Sequence, residues 1–204
     1  SLSMPLMVQA TDPIIPIAQQ EQLQQDRDTQ RERSLRLDEE RVETVVSEPA
    51  LIDVPSDQNG ASFYIKQIQL DGMPKELSFL NKLTRKYEQK NVTVSDITNI
   101  RNAFQRKLLD KGFVTSQVYI PEQNLNDGIL QLMVIPGRVE DIRYSESSTH
   151  GPWRTALVVR PGDILNIRDI EQGLEQMKRL SSQSVTMKLL PGKAIGTSVI
   201  ELSI

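Results

Sequence analysis

The chain of 204 residues contains no cysteine. Disulfides, thiolate metal sites and cysteine nucleophiles are therefore excluded, and the compartment stays open between a reducing cytosol and an oxidising periplasm. Histidine is almost missing: His150 is the single one, within Ser147-Ser148-Thr149-His150-Gly151-Pro152. With no second histidine and no thiolate beside it, it reads as a surface loop residue rather than a metal ligand. No apolar run approaches 18 residues, so no segment crosses a membrane as a single helix. No basic-then-apolar leader opens the chain, so an exported form is expected to have lost its signal already. The glycine patterns that cradle phosphate or dinucleotides are missing, as is a Gly-x-Ser-x-Gly elbow. The acid clusters Asp38-Glu39-Glu40 and Glu140-Asp141 are adjacent in sequence and so point apart, whereas acid–base work needs converging carboxylates. These absences leave no catalytic residue, metal or cofactor to assign. A non-enzymatic binding module is the expectation.

Apolar residues make up 38 % of the chain, below the usual globular share of about 45–50 %. Residues 1–60 carry five Arg and no Lys against twelve Asp and Glu, a net of −7; residues 61–204 carry nineteen basic against fifteen acidic residues, a net of +4. An acidic arm thus precedes a mildly basic body, which is far from the dense basic stripe of a nucleic-acid binder. In the arm, 1–60, Met4-Pro5 to Ile17 reads as extended because of its prolines. Gln19 to Arg41 has helix-forming composition and would span roughly 35 Å as a helix. Leu23, Leu35 and Leu37 are too few for an apolar stripe, so this stretch is either a solvated linker or a helix sheathed in a wet environment such as a pore. Val42 to Gly60 reads as a second linker ending at Asn59-Gly60.

The body repeats itself. Phe63 to Leu70 reads as a strand, Leu77 to Tyr87 as a helix, and Ser95 as the N-cap of a second helix with Ile97, Ile100, Phe104 and Leu108 on one face, ended by Gly112. Val114 to Ile120 is a second strand stopped by Pro121, and Leu130, Leu132 and Val134 alternate on a third. Adding 70 carries Ile97, Ile100 and Phe104 to Ile167, Ile170 and Leu174, Pro121 to Pro191, and Leu130, Leu132 and Val134 to Ile200, Leu202 and Ile204. The first strand recurs at a shift of 74, with Ile65, Ile68 and Leu70 against Val139, Ile142 and Tyr144, and the second long helix is expected to start at Asn166. Trp153 reads as a core anchor of a weak helix in copy two. The expected fold is α+β: an arm over 1–60, then two β-α-α-β-β domains over 61–137 and 138–204, each a three-stranded sheet with two helices on one face. Copies of this size are only marginally stable alone, so contact between them across the short Pro136-Gly137-Arg138 link is expected.

Two features suggest a partner. Copy one, residues 63–138, holds eleven basic against seven acidic residues, with Arg101, Arg106, Lys107 and Lys111 on its second helix. Such a face can steer an acidic or polar partner. The strand around Ser116, Gln117, Val118 and Tyr119 is β-rich and uncharged, and at a sheet edge it could accept an added strand. These eight residues are the candidate contact surface.

Several stretches resemble a known family. Lys111-Gly112-Phe113-Val114-Thr115 is similar to a (K/R)-G-(Y/F)-V-T passage, Pro121 to Leu130 to P-x-Q-x-L-x-x-G-x-L, and Pro136-Gly137-Arg138-Val139-Glu140-Asp141-Ile142 to a P-G-R-(I/V)-E-x-I junction. Pro161-Gly162-Asp163-Ile164-Leu165-Asn166-Ile167-Arg168-Asp169-Ile170-Glu171-Gln172-Gly173-Leu174 is similar to P-G-x-x-L-N-x-R-D-(I/L)-E-Q-(G/A)-L. Together they resemble the tandem POTRA domains of two-partner secretion transporters of the Omp85 superfamily, with the hemolysin and contact-dependent inhibition secretors as the nearest branches. The resemblance implies a location on the periplasmic side of the bacterial outer membrane. The implied partners are a secreted exoprotein, bound through its N-terminal secretion domain, and the protein's own C-terminal β-barrel; no nucleic acid and no small-molecule substrate is implied. It also implies that the arm plugs the barrel, and that this barrel-less chain is an excised periplasmic portion. A KH-like nucleic-acid module is the competing reading, weakened because no Gly-x-x-Gly loop lies between the helices. A POTRA-type assembly scaffold is a third.

Overall fold

The computed structural model describes residues 43–44, 49–51, 60–146, 156–180 and 184–203. The expected plug helix over 19–41, His150, Trp153 and Ile204 lie outside them. The elements are β1 (Glu43–Thr44), β2 (Phe63–Ile65), β3 (Gln67–Asp71), a 3-10 helix (Lys75–Leu80), α1 (Asn81–Tyr87), β4 (Lys90–Val92), α2 (Val94–Asp110), β5 (Gln117–Tyr119), β6 (Ile129–Ile135), β7 (Arg138–Tyr144), α3 (Ile167–Leu180), β8 (Thr186–Pro191) and β9 (Thr197–Ser203).

The first repeat has a three-stranded sheet in the order β3-β6-β5, with β3 parallel and β5 antiparallel to β6. The second has the same arrangement, β7-β9-β8, with β1 added outside β8. In each, the last strand is central because it follows a hairpin on one side and receives the first strand on the other. Alternation decides which face is buried: Leu130, Leu132 and Val134 on β6 and Ile200 and Leu202 on β9 point into the core. The helices contribute Ile97, Ile100, Phe104 and Leu108 in repeat one and Ile170, Leu174 and Met177 in repeat two. Two separate apolar clusters result, one per repeat.

Four local expectations change. The long helix of repeat one is capped by Thr93, two residues before Ser95. Thr93 Oγ1 accepts from the Asp96 N–H at 3.2 Å, and the Asp96 carboxylate accepts from the Thr93 N–H at 2.8 Å. This reciprocal box needs a carboxylate three residues after the cap, which Thr93 has and Ser95, followed by Thr98, lacks. The helix expected from Leu77 opens instead as a 3-10 turn, with α1 starting only at Asn81.

The expected strand from Phe63 to Leu70 is broken at Lys66. Phe63–Ile65 pairs with β4, and Gln67–Asp71 pairs with β6. The reason is visible in the spacing. Ile65 and Ile68 are both buried although three apart, and a strand of period two cannot put both on one face without a break. Val139 and Ile142 repeat the spacing in β7, where the register shifts across Glu140. The bulge frees Glu140, whose carboxylate accepts from Thr197 Oγ1 at 2.6 Å and from the Ala194 N–H at 3.0 Å, tying β7 to the β8–β9 turn.

The proline match at an offset of 70 also fails. Met133 and Ser203 correspond at 70, yet Met133 pairs with Tyr119 and Ser203 with Thr186, an offset of 67. Pro121 lies beyond its short strand, whereas Pro191 ends a strand that runs five residues past the counterpart of Tyr119.

Two outcomes test this account. Phe104 is fully buried, so Phe104→Ala is expected to cost about 3–5 kcal/mol of unfolding free energy in urea titration; a loss below 1 kcal/mol would contradict its place in the core. The hydrogen bond from Thr197, then that from Ala194, holds the Glu140 carboxyl below its ordinary pKa. A depressed folded pKa gives stabilisation that is present above the unfolded carboxylate range and is lost as pH falls through the folded value. The stability gap between the wild type and Glu140→Gln should therefore be widest near neutral pH and close on acidification; a gap independent of pH would exclude the latch.

Candidate partner-binding surface

The candidate surface depends on how α2 ends. Gly112 has φ +91°, a left-handed conformation suited to glycine after a helix. The chain turns there, and the orphan carbonyls at the end of α2 meet the start of α3. Arg168 Nη2 donates to Asp110 O at 2.5 Å, Asn166 Nδ2 to Lys111 O at 3.1 Å, and the Ile167 N–H to Gly112 O at 2.9 Å. A helix C-terminus carrying partial negative charge thus faces a helix N-terminus and a guanidinium. Asn166 Oδ1 meanwhile accepts from the Arg168 N–H at 3.0 Å, capping α3. Val114 is buried within the core cluster of repeat two, and Leu109 packs against it. Behind them the Gly137 N–H donates to Ser116 Oγ at 3.0 Å, and a Cβ at Gly137 would collide with Thr115. The joint is therefore both polar and apolar.

The eight candidate residues separate sharply on this scaffold. Arg101 is buried: its Nε donates to Val118 O at 2.7 Å and its Nη1 to Ala50 O at 3.0 Å. Burial lowers its pKa, with Tyr119 acting in the opposite direction. Gln105, also fully buried, accepts from the Val118 N–H and donates to Ser116 O, both at 3.0 Å. Val118 has therefore given both of its main-chain groups to α2. The expectation that this edge stands open for an added strand is corrected at Val118: β5 is an edge strand, but Arg101 and Gln105 cap it. Ser116 and Val118 are themselves fully buried.

What remains at the surface is Arg106 and Lys111, both exposed, with Lys107 and Gln117 half-buried and Tyr119 exposed. Tyr119 stands opposite Met133, and Gln117 opposite Ile135, so these four share the outer face of the sheet. Tyr119, Met133 and Ile135 are 44 %, 42 % and 36 % exposed. The Tyr119 hydroxyl bonds to Gln117 Oε1. Gln105, Met133 and Ile135 were missed from sequence. Met133 and Ile135 sit out of phase with Leu130, Leu132 and Val134, and that alternation is the signal that places them outside. Among the described residues, no cluster of three His, Asp or Glu side chains could hold a metal ion, and no helix is long and apolar enough to cross a membrane.

Comparison with known proteins adds to this geometry. Residues 63–137 match the POTRA domain of ShlB type, and residues 138–191 match a second POTRA domain. The outer membrane transporter CdiB-2 of Burkholderia pseudomallei (strain 1026b) is 45 % identical over 105 residues, which are 52 % of this chain and 18 % of that protein. The outer membrane transporter CdiB of Dickeya dadantii (strain 3937) is 41 % identical over 125 residues, 61 % of this chain and 21 % of its own. The structure of CdiB from Escherichia coli superposes with a TM-score of 0.62 at 27 % identity, covering 92 % of this chain and 34 % of that one. The chain spans about a fifth of the length of these curated relatives.

The joint yields a direct test. Gly112→Ala forces a side chain into the left-handed region, at a cost of roughly 1–2 kcal/mol, and sets its Cβ against Asn166 Oδ1. Both repeats should keep their circular dichroism while their amide relaxation rates diverge, showing separate tumbling. Unchanged joint tumbling would mean that the contacts at Gly112 do not fix the angle.

Proposed function

Because the chain belongs to the POTRA family as found in two-partner secretion transporters of the Omp85 superfamily, we propose that it is the periplasmic recognition module of such a transporter. In this reading it binds the N-terminal secretion domain of an unfolded exoprotein and passes it to a β-barrel in the outer membrane. No catalytic step is needed, because binding and hand-over are the whole of its task.

The observation that carries the reading is the outer face of the first sheet. Tyr119, Met133 and Ile135 form an exposed apolar stripe flanked by Gln117 and Gln131, with no charged side chain on β5 or β6. Contiguous exposed apolar surface on a small domain marks a place where another chain binds. An unfolded polypeptide presents the apolar and amide groups that such a stripe accepts. Arg106 and Lys107 on α2, with Lys111 at its C-cap, add positive charge that speeds encounter with an acidic segment. Arg101, Ser116 and Val118 support this surface from beneath rather than meeting the partner.

The test is titration of the full chain with the denatured secretion domain of the exoprotein encoded beside the transporter. Tyr119→Ser combined with Met133→Ser should weaken binding by about tenfold or more, close to 1.4 kcal/mol, without altering the circular dichroism. Arg106→Glu with Lys111→Glu should slow association, most strongly at low salt. Wild-type affinity in the first variant would remove the sheet face from the contact surface.

A further inference from the structure

We propose that the cleft between the two repeats is a binding site for a lysine- or arginine-bearing stretch of the partner, with an apolar residue beside the cation. The inference rests on the reading above, in which the partner arrives unfolded and so exposes such side chains.

The cleft has a volume of about 340 Å³, within the range of roughly 300–1,000 Å³ typical of small-ligand sites. Repeat one contributes Glu76, from the 3-10 helix, and Phe113, just after α2. Repeat two contributes Arg138, Val158, Asp163 and Asp169. Asn166, which donates to Lys111 O, also lines it, so the cleft abuts the joint and exists only where both repeats meet. Its apolar part is not explained by the cores. Leu157 and Val159 are buried in the second core, whereas Val158 between them is 76 % exposed. Phe113 is half-buried and stacks on Phe79 with 5.8 Å between ring centroids. An aromatic ring attracts a cation placed over its face.

The charged part of the lining holds three carboxylates against one guanidinium. That guanidinium is already engaged, since Arg138 Nη1 donates to Gly162 O at 2.8 Å. Arg168, in the first turn of α3, donates to Asp110 O at the end of α2 instead. Asp163 Oδ2 accepts from the Arg160 N–H at 2.8 Å, which fixes the turn before α3. Glu76 and Asp169 are both exposed, and neither forms an ion pair with a described residue. The positive end of α3 accounts in part for Asp169; neither core nor the joint uses Glu76. Apolar surface framed by surplus negative charge complements a long basic side chain. The methylene stem can cover Val158 and Phe113 while the head meets the carboxylates. The basic residues at the end of α2, across Asn166, have the opposite preference. A segment that offers an acidic residue there and a basic one to the cleft is held in one direction.

The experiment uses the full chain and a short peptide of Leu-Arg pairs, with a second peptide carrying Glu in place of Arg. The arginine peptide should shift the amide resonances of Phe113, Val158 and Ile164, and the glutamate peptide should leave them in place. Glu76→Gln with Asp169→Asn should weaken the arginine peptide by about fivefold or more without altering the circular dichroism. Val158→Ser, which keeps every charge, should weaken it as well. Equal peptide affinity for wild type and the double variant, or the same shifts from the glutamate peptide, would overturn the site. A parallel titration with the denatured secretion domain tests the partner. Weaker binding to the double variant supports the proposal. Equal affinity for both proteins would overturn the assignment of the cleft to the partner. Binding to neither protein would overturn the functional reading, while the peptide result would still decide the cleft itself.

Discussion

The contact between the end of α2 and the start of α3 holds the rest of the molecule in place. Each repeat has its own small core, and domains of about 70 residues are marginal on their own. The joint couples them through groups that a helix leaves unsatisfied in any case. Three carbonyls at the C-terminal end of α2 receive donors from the first residues of α3, while Val114 extends the second core into the first repeat. The residues that make the family recognisable are concentrated here: Lys111-Gly112, Pro136-Gly137-Arg138 and Asn166-Ile167-Arg168 are motif positions and joint positions at once. Their spacing in sequence follows from the need to satisfy one helix end with the other.

With the angle set, the two repeats become different tools built to one topology. Repeat one uses an arginine and a glutamine from its helix to cap its outer strand, and turns an apolar stripe outward on the opposite face of its sheet. Repeat two carries glutamates at the corresponding helix positions and a longer outer strand. The surplus of basic residues in repeat one belongs partly to this internal work. Arg101 is a structural donor, and only its neighbours further along α2 reach solvent.

The candidate surface was half legible. Charge and β-propensity pointed to α2 and β5, but neither property distinguishes a residue that faces outward from one that caps a strand. Arg101 and Arg106 are the same residue type on one helix, five positions apart, and burial separates them completely. Alternation did better: the phase that put Leu130, Leu132 and Val134 inside also placed Met133 and Ile135 outside. The breaks at Lys66 and Glu140 were written in the spacing of buried residues, at three where a strand allows two. A reading that favours continuous strands passes over them.

The sequence by itself determined the class of fold, the duplication, the apolar faces of the long helices and the central strands, and the absence of thiol chemistry. These follow from local periodicity and composition, which act over a few residues at a time. Tertiary structure alone decided the register of the outer strands, the burial of Arg101 and Gln105, and the pairing of residues 43 and 44 with β8. Each of these depends on which backbone groups remain unsatisfied after the sheets close, and that is settled between segments far apart in the chain. The proline match at an offset of 70 shows the limit most plainly: it was a true agreement of letters, and the hydrogen-bonded ladder placed the two prolines at different points of their strands.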